Sequence, residues 1–163
     1  MIPSFSEAIS IRPASVADIP AIVALVNAAF NVEIFLEGVR TDERNVTELM
    51  EKGMFFVIEE NSHHLRASIY TELRGERGYF GMLAVNPNRQ SRGLGRAMIE
   101  HAENYCREHG CIVMDLKVLS PRKELLPYYH KLGYKDMGRD EFRPSRPIQP
   151  GIECYLILMS KPL

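Results

Sequence analysis

Residues 85–97 read V-N-P-N-R-Q-S-R-G-L-G-R-A, between an apolar strand-like run and a helix-like run. Gly93 and Gly95 carry no side chain, so the backbone there can approach a ligand closely. A helix that begins in this turn offers unpaired N–H groups and the positive end of its dipole. Arg89, Arg92 and Arg96 add three positive charges around it. These residue types in this order suit an anion, and best a phosphate or pyrophosphate. The spacing is neither the G-x-G-x-x-G of dinucleotide-binding turns nor the G-x-x-x-x-G-K-[ST] of P-loops. For Gly-x-Gly taken alone, a strand–turn–helix whose glycines merely make the turn is the plain alternative.

The elements that would hold this turn follow from hydrophobic periodicity. Residues 7–13 alternate as a strand. Ser15 then offers a helix N-cap with Asp18 in the first turn, and Ile19, Ile22, Val23, Val26 and Phe30 follow at helical spacing. Val46, Leu49 and Met50 mark a second helix that ends near Gly53. Residues 54–59, 65–73 and 78–86 read as strands, with a turn at Asn61 and Ser62, and Pro87 stops the last of them. A long helix spans 93–109, with Leu94, Ala97, Met98, Ala102 and Tyr105 as its buried face and Gly110 as its stop. A strand at 112–119, a helix at 122–132 and strands at 134–142 and 152–160 complete the order β-α-α-β-β-β-α-β-α-β-β. That order predicts an α/β fold: a mixed central sheet flanked by helices, with at least one strand–helix–strand crossover, in one domain covering 1–163.

Composition narrows the function. The chain has 163 residues, 20 Lys+Arg and 21 Asp+Glu, for a net charge of −1. That balance argues against a generally basic nucleic-acid binder. It conceals an asymmetry. Residues 1–85 hold 7 basic and 12 acidic side chains, whereas 86–163 hold 13 and 9. The electropositive second half is the half that contains the anion turn. Three cysteines, Cys106, Cys111 and Cys154, make no complete disulfide framework, and no apolar run approaches 18 residues. The expected setting is a reducing cytoplasm without a membrane span. Cys106, His109 and Cys111 have no second ligand pair nearby, so no metal site is expected.

The segment Q-S-R-G-L-G at 90–95 matches the [QR]-x-x-G-x-[GA] signature of the GNAT superfamily of acyl-CoA-dependent N-acyltransferases. The match extends over G-M-L-A-V-N-P before it and R-A-M-I-E-H-A-E after it. P-Y-Y-H-K-L-G-Y-K-D resembles the family's aromatic-Tyr-x-x-x-Gly-aromatic segment, and I-S-I-R-P-A-S-V-A-D-I-P its opening strand and helix. The resemblance covers almost the whole chain in the family's element order. It implies a GNAT-like fold and transfer of an acetyl group from acetyl-CoA to a primary amine, on a small molecule or a peptide, by direct attack in a ternary complex. The alternative is a non-catalytic acyl-CoA-binding sensor or interaction domain of the same fold. Relatives are monomers or homodimers, and neither nucleic acid nor membrane is an expected partner.

Residue by residue, the resemblance implies that the CoA pyrophosphate meets the backbone of Gln90, Ser91, Arg92, Gly93, Leu94, Gly95 and Arg96. It implies that Leu83 and Val85 bond the pantetheine arm in a slot where the strands after 85 and 112 diverge. It puts the oxyanion donor at a backbone N–H near Leu83 and the general acid at Tyr129, with Tyr128 as a packing neighbour. Many relatives have an Asn where this chain has Arg122, which would meet a phosphate or an acidic substrate instead. For the general base, Glu72, Glu76, Asp115 and a water chain remain alternatives, with Glu72 the carboxylate favoured by order. Residues 31–45 lie where relatives line the acceptor side. Glu33, Glu37, Asp42 and Glu43 make that loop acidic, which would suit a cationic amine or be an ordinary charged surface.

Overall fold

A computed structural model describes residues 9–61, 63–88, 93–144 and 146–163. Its elements follow the expected order. They are β1 (Arg12–Pro13), α1 (Ile19–Ala29), α2 (Glu43–Lys52), β2 (Met54–Asn61), β3 (His64–Arg74), β4 (Arg77–Val85), α3 (Leu94–Glu108), β5 (Val113–Leu119), α4 (Leu125–Lys131), β6 (Lys135–Glu141) and β7 (Tyr155–Pro162). The strands form one seven-stranded sheet in the order β1-β2-β3-β4-β5-β7-β6. β4 and β5 run parallel, joined by the α3 crossover, and every other neighbouring pair is antiparallel.

Both faces of the sheet are covered, which explains why β2 reads as a continuous apolar run and not an alternation. Its Phe55 and Val57 face α1 and α2 in one buried cluster with Ile22, Val26 and Val46. Phe56 and Ile58 face α3 in the other, with Met98, Ala102 and Cys106. Gly78 of β4 lets α3 approach: a Cβ there would stand 2.6 Å from Cys106 Sγ.

Three local outcomes differ from the periodicity reading. Only Arg12–Pro13 of the expected first strand pairs with β2, and Pro13 has no N–H to extend the ladder; residues 1–8 lie outside the described set. The helix expected at 122–132 is regular only over Leu125–Lys131. Pro127 cannot donate to the Lys123 carbonyl, and Leu126 N–H takes it in a tighter turn instead (3.2 Å). On α3 the deepest residues include Ile99 and Cys106, while Ala97 and Tyr105 are only half-buried.

Two features of β4 shape the site. Ser68 pairs with Ala84 and Tyr70 with Gly81, so Met82 and Leu83 together oppose Ile69 alone. This β-bulge puts Met82 at φ +47°, the left-handed region that a non-glycine residue rarely enters. The parallel ladder between β4 and β5 covers only Arg77↔Val113, Gly78↔Met114 and Tyr79↔Asp115. Beyond it β4 stays with β3 as far as Val85↔Ala67, and β5 stays with β7 as far as Leu119↔Leu156. The sheet therefore splits between residues 80–85 and 116–119.

Candidate active site

The split opens a cleft of about 610 Å³. Leu83 and Val85 line it from β4, Leu116 and Val118 from β5, and Tyr128 and Tyr129 from α4. Past Tyr79, β4 has no ladder partner on the β5 side, because β5 has already turned away. The start of α3 reaches the same cleft through Gly93, Gly95 and Arg96.

The two glycines do different work. Gly93 is the N-cap of α3 at φ +69°, a conformation that glycine alone adopts without cost, and a Cβ on it would meet nothing within 4 Å. Gly95 leaves room on the cleft wall: its Cβ would sit 3.4 Å from the Tyr128 hydroxyl, 3.7 Å from Val85 and 3.9 Å from Leu83. The first helical hydrogen bond is Ala97 N–H to the Gly93 carbonyl at 3.1 Å. The N–H groups of Leu94, Gly95 and Arg96 thus have no partner within the helix and suit an anion. Arg96 is mostly exposed and pairs with Glu100 at 3.3 Å. Gln90, Ser91 and Arg92, with Arg89, lie outside the described residues.

Tyr129 is buried on the cleft wall, with its ring near Phe80, Tyr128 and Tyr134. Burial pushes its phenol well above the ordinary value, reinforced by Tyr128 and opposed by Arg122. Its proton therefore stays on at neutral pH. The Tyr128 hydroxyl stands over Gly95, 3.4 Å from where a Cβ would sit.

Glu72 does not line this cleft. It lines an adjoining cavity of about 690 Å³ that shares Arg40, Tyr79, Gly81 and Met82 with it. Arg74 donates to Glu72 at 2.8 Å and the Tyr70 hydroxyl at 2.6 Å, and these bonds hold its pKa below the ordinary carboxylate value against the effect of burial. A carboxylate held in that way is a weak proton acceptor, so the geometry does not suit Glu72 as general base. Asp115 is likewise engaged, by a bidentate Arg77 at 2.7 Å and by Ser160 at 2.5 Å.

In the acidic loop, the carboxylates that reach the cleft and its adjoining cavity, Glu33 and Asp42, are engaged within the protein. Asp42 caps α2, accepting from Asn45 N–H at 2.8 Å. Glu43 lies in the exposed first turn of that helix. Glu33 is buried and faces Arg146 at 3.0 Å, Arg122 at 3.4 Å and Arg40 at 3.8 Å. Arg122 also binds Glu124 at 2.6 Å. Arg122 lines the cleft, but with two carboxylate partners. Arg40 and Arg146 had no motif to mark them, since each earns its place only through Glu33, more than a hundred residues from Arg146 in the chain.

Comparison with known proteins agrees with this geometry. No curated protein matches the sequence. Among solved structures, the ribosomal-protein-alanine N-acetyltransferase of Escherichia coli superposes with a TM-score of 0.74 at 20% identity, over 95% of this chain and 94% of its own. That of Brucella melitensis gives 0.72 at 20%, over 94% and 99%. The IAA acetyltransferase of Bacillus cereus gives 0.73 at 19%, over 96% and 100%. These likenesses show the fold. The sequence model of the acetyltransferase (GNAT) family matches residues 20–134, most of the chain, and with the split sheet and the helix start beside it this places the protein in the acetyltransferase (GNAT) family.

Proposed function

We propose that the protein transfers an acetyl group from acetyl-CoA, the family's co-substrate, to a primary amine by direct attack in a ternary complex. The observation that carries this reading is the cleft between the diverging β4 and β5, with the α3 N-terminus and Tyr129 on its lining. The unpaired N–H groups at 94–96 and the space left at Gly95 fit a pyrophosphate and its pantetheine arm. Leu83 and Val85 offer the backbone edge for that arm.

Tyr129 then protonates the departing sulfur, a task that its raised pKa leaves it able to perform across neutral pH. A β4 backbone N–H near Leu83, in the stretch that β5 no longer pairs, donates to the oxyanion. The amine loses its proton through solvent, because Glu33, the carboxylate on the cleft lining among the described residues, is already shared by three arginines.

The test is thiol release from acetyl-CoA across a panel of amines and peptides. Tyr129→Phe is expected to lower kcat by about a hundredfold or more with acetyl-CoA affinity little changed. If acetyl-CoA binds, no amine is turned over and Tyr129→Phe has no effect on anything measured, the chain is an acyl-CoA-binding sensor and not an enzyme.

A further inference from the structure

The seam between the cleft and its neighbouring cavity carries more positive than negative side chains, although the loop sequence is acidic. Three guanidinium groups converge on the one buried carboxylate of Glu33. Arg122 has a second carboxylate in Glu124, and Arg146 has the Gly38 carbonyl at 3.1 Å. Arg40 has neither. Its Nε is buried without a hydrogen-bond partner, 3.8 Å from Glu33, and its guanidinium lies over the Phe30 ring at 5.4 Å. Arg40 is the most exposed of the three side chains and shares Glu33 with the other two, which leaves its guanidinium able to take a further anion. The crowding also shows at Arg146, whose pKa is lowered by burial and, against the pull of Glu33, by the charge of Arg40.

The remaining charges around the adjoining cavity largely cancel. Arg74 is paired with Glu72 and Arg44 with Glu48, and Asp42 is occupied as a helix cap. Lys52 adds another positive charge to the lining. Arg40 belongs to the lining of both spaces, as do Gly81 and Met82 of the bulge. An anion held by Arg40 would therefore lie beside the point where the two substrates must meet.

Building on the acetyltransferase reading, we propose that the acceptor is a small amine that also carries a carboxylate, of the free amino-acid class, bound through that carboxylate by Arg40 with Arg146 beside it. The planar guanidinium fork matches a carboxylate. The same positive field disfavours a polycationic acceptor, and it helps the acceptor's ammonium group to shed its proton.

The experiment compares kcat/KM for free L-amino acids, the matching amino-acid amides and simple diamines, with acetyl-CoA saturating. The acids are expected to exceed their amides by about tenfold or more. Arg40→Met should collapse that ratio, mainly through KM for the acids, and Arg40→Lys should restore part of it. Turnover of amides or diamines at least as fast as the acids overturns the inference and leaves the acetyltransferase reading standing. Turnover of none of the three classes, or of peptides alone, overturns it as well. Only failure with every amine and peptide removes the acetyltransferase reading too. The wild-type ratio decides the matter even if an Arg40 variant fails to fold.

Discussion

Gly93 and Gly95 stand two residues apart and answer to different constraints. Gly93 needs its left-handed backbone, so Gly93→Ala is expected to cost about 1–2 kcal/mol of stability in urea unfolding. Gly95 has an ordinary helical backbone and faces the cleft wall. Gly95→Ala should leave the fold as stable or about 0.5–1 kcal/mol more so. Its methyl group should still weaken acetyl-CoA binding by about tenfold in calorimetry, because it fills the space between Leu83, Val85 and Tyr128. Unchanged affinity in folded Gly95→Ala would remove this position from the binding wall.

Elements are held at set distances by contacts that individual strands do not reveal. α3 sits close on β4 because position 78 has no side chain. Gly78→Ala would bring a methyl to 2.6 Å from Cys106 Sγ and 2.9 Å from its Cβ. A loss of about 1–3 kcal/mol is expected, read from the denaturation midpoint. At the other edge of the sheet, Arg12 of β1 makes a bidentate pair with Asp18 at 2.8 Å and also reaches Glu59 of β2. The Arg12 hydrogen bonds lower the Asp18 pKa to about 2, against the opposing effect of burial. Asp18 thus stays ionised in the fold at a pH where the unfolded chain would protonate it. Its contribution is complete above about pH 4 and fades as pH falls toward 2. Arg12 is partly exposed, so about 1 kcal/mol is involved. Asp18→Asn should lose that amount at pH 7 and much less at pH 2, in unfolding measured at both.

At the scale of the whole molecule, an overall charge of −1 conceals a local positive excess. A CoA carrying several phosphate charges should feel the start of α3 and the arginines near the cleft. Its binding should weaken severalfold between about 0.1 and 1 M salt, over which the screening length falls from about 10 to 3 Å. Salt-independent affinity measured by calorimetry would argue against an electrostatic share in binding. The acidic and basic halves of the chain do not map onto separate faces. Arg40 from the first half and Arg122 and Arg146 from the second meet at Glu33, and Arg77 crosses to Asp115.

The sequence by itself determined the element order, the helix start beside an apolar strand and Tyr129 on a late helix, because periodicity, proline and glycine act over a few neighbouring residues. It also carried the family signature, which is a local pattern. Tertiary structure alone decided that β7 lies between β5 and β6, that β4 and β5 part after three pairs, and that Met82 turns left-handed at a bulge. Those outcomes depend on how each strand divides its hydrogen bonds between two neighbours far away in the chain. The same holds for charge. Glu33 reads as an acidic loop residue until the fold brings Arg146 to within 3.0 Å of it. A side chain's charge is legible in sequence, but whether it is cancelled depends on which distant group the fold places beside it.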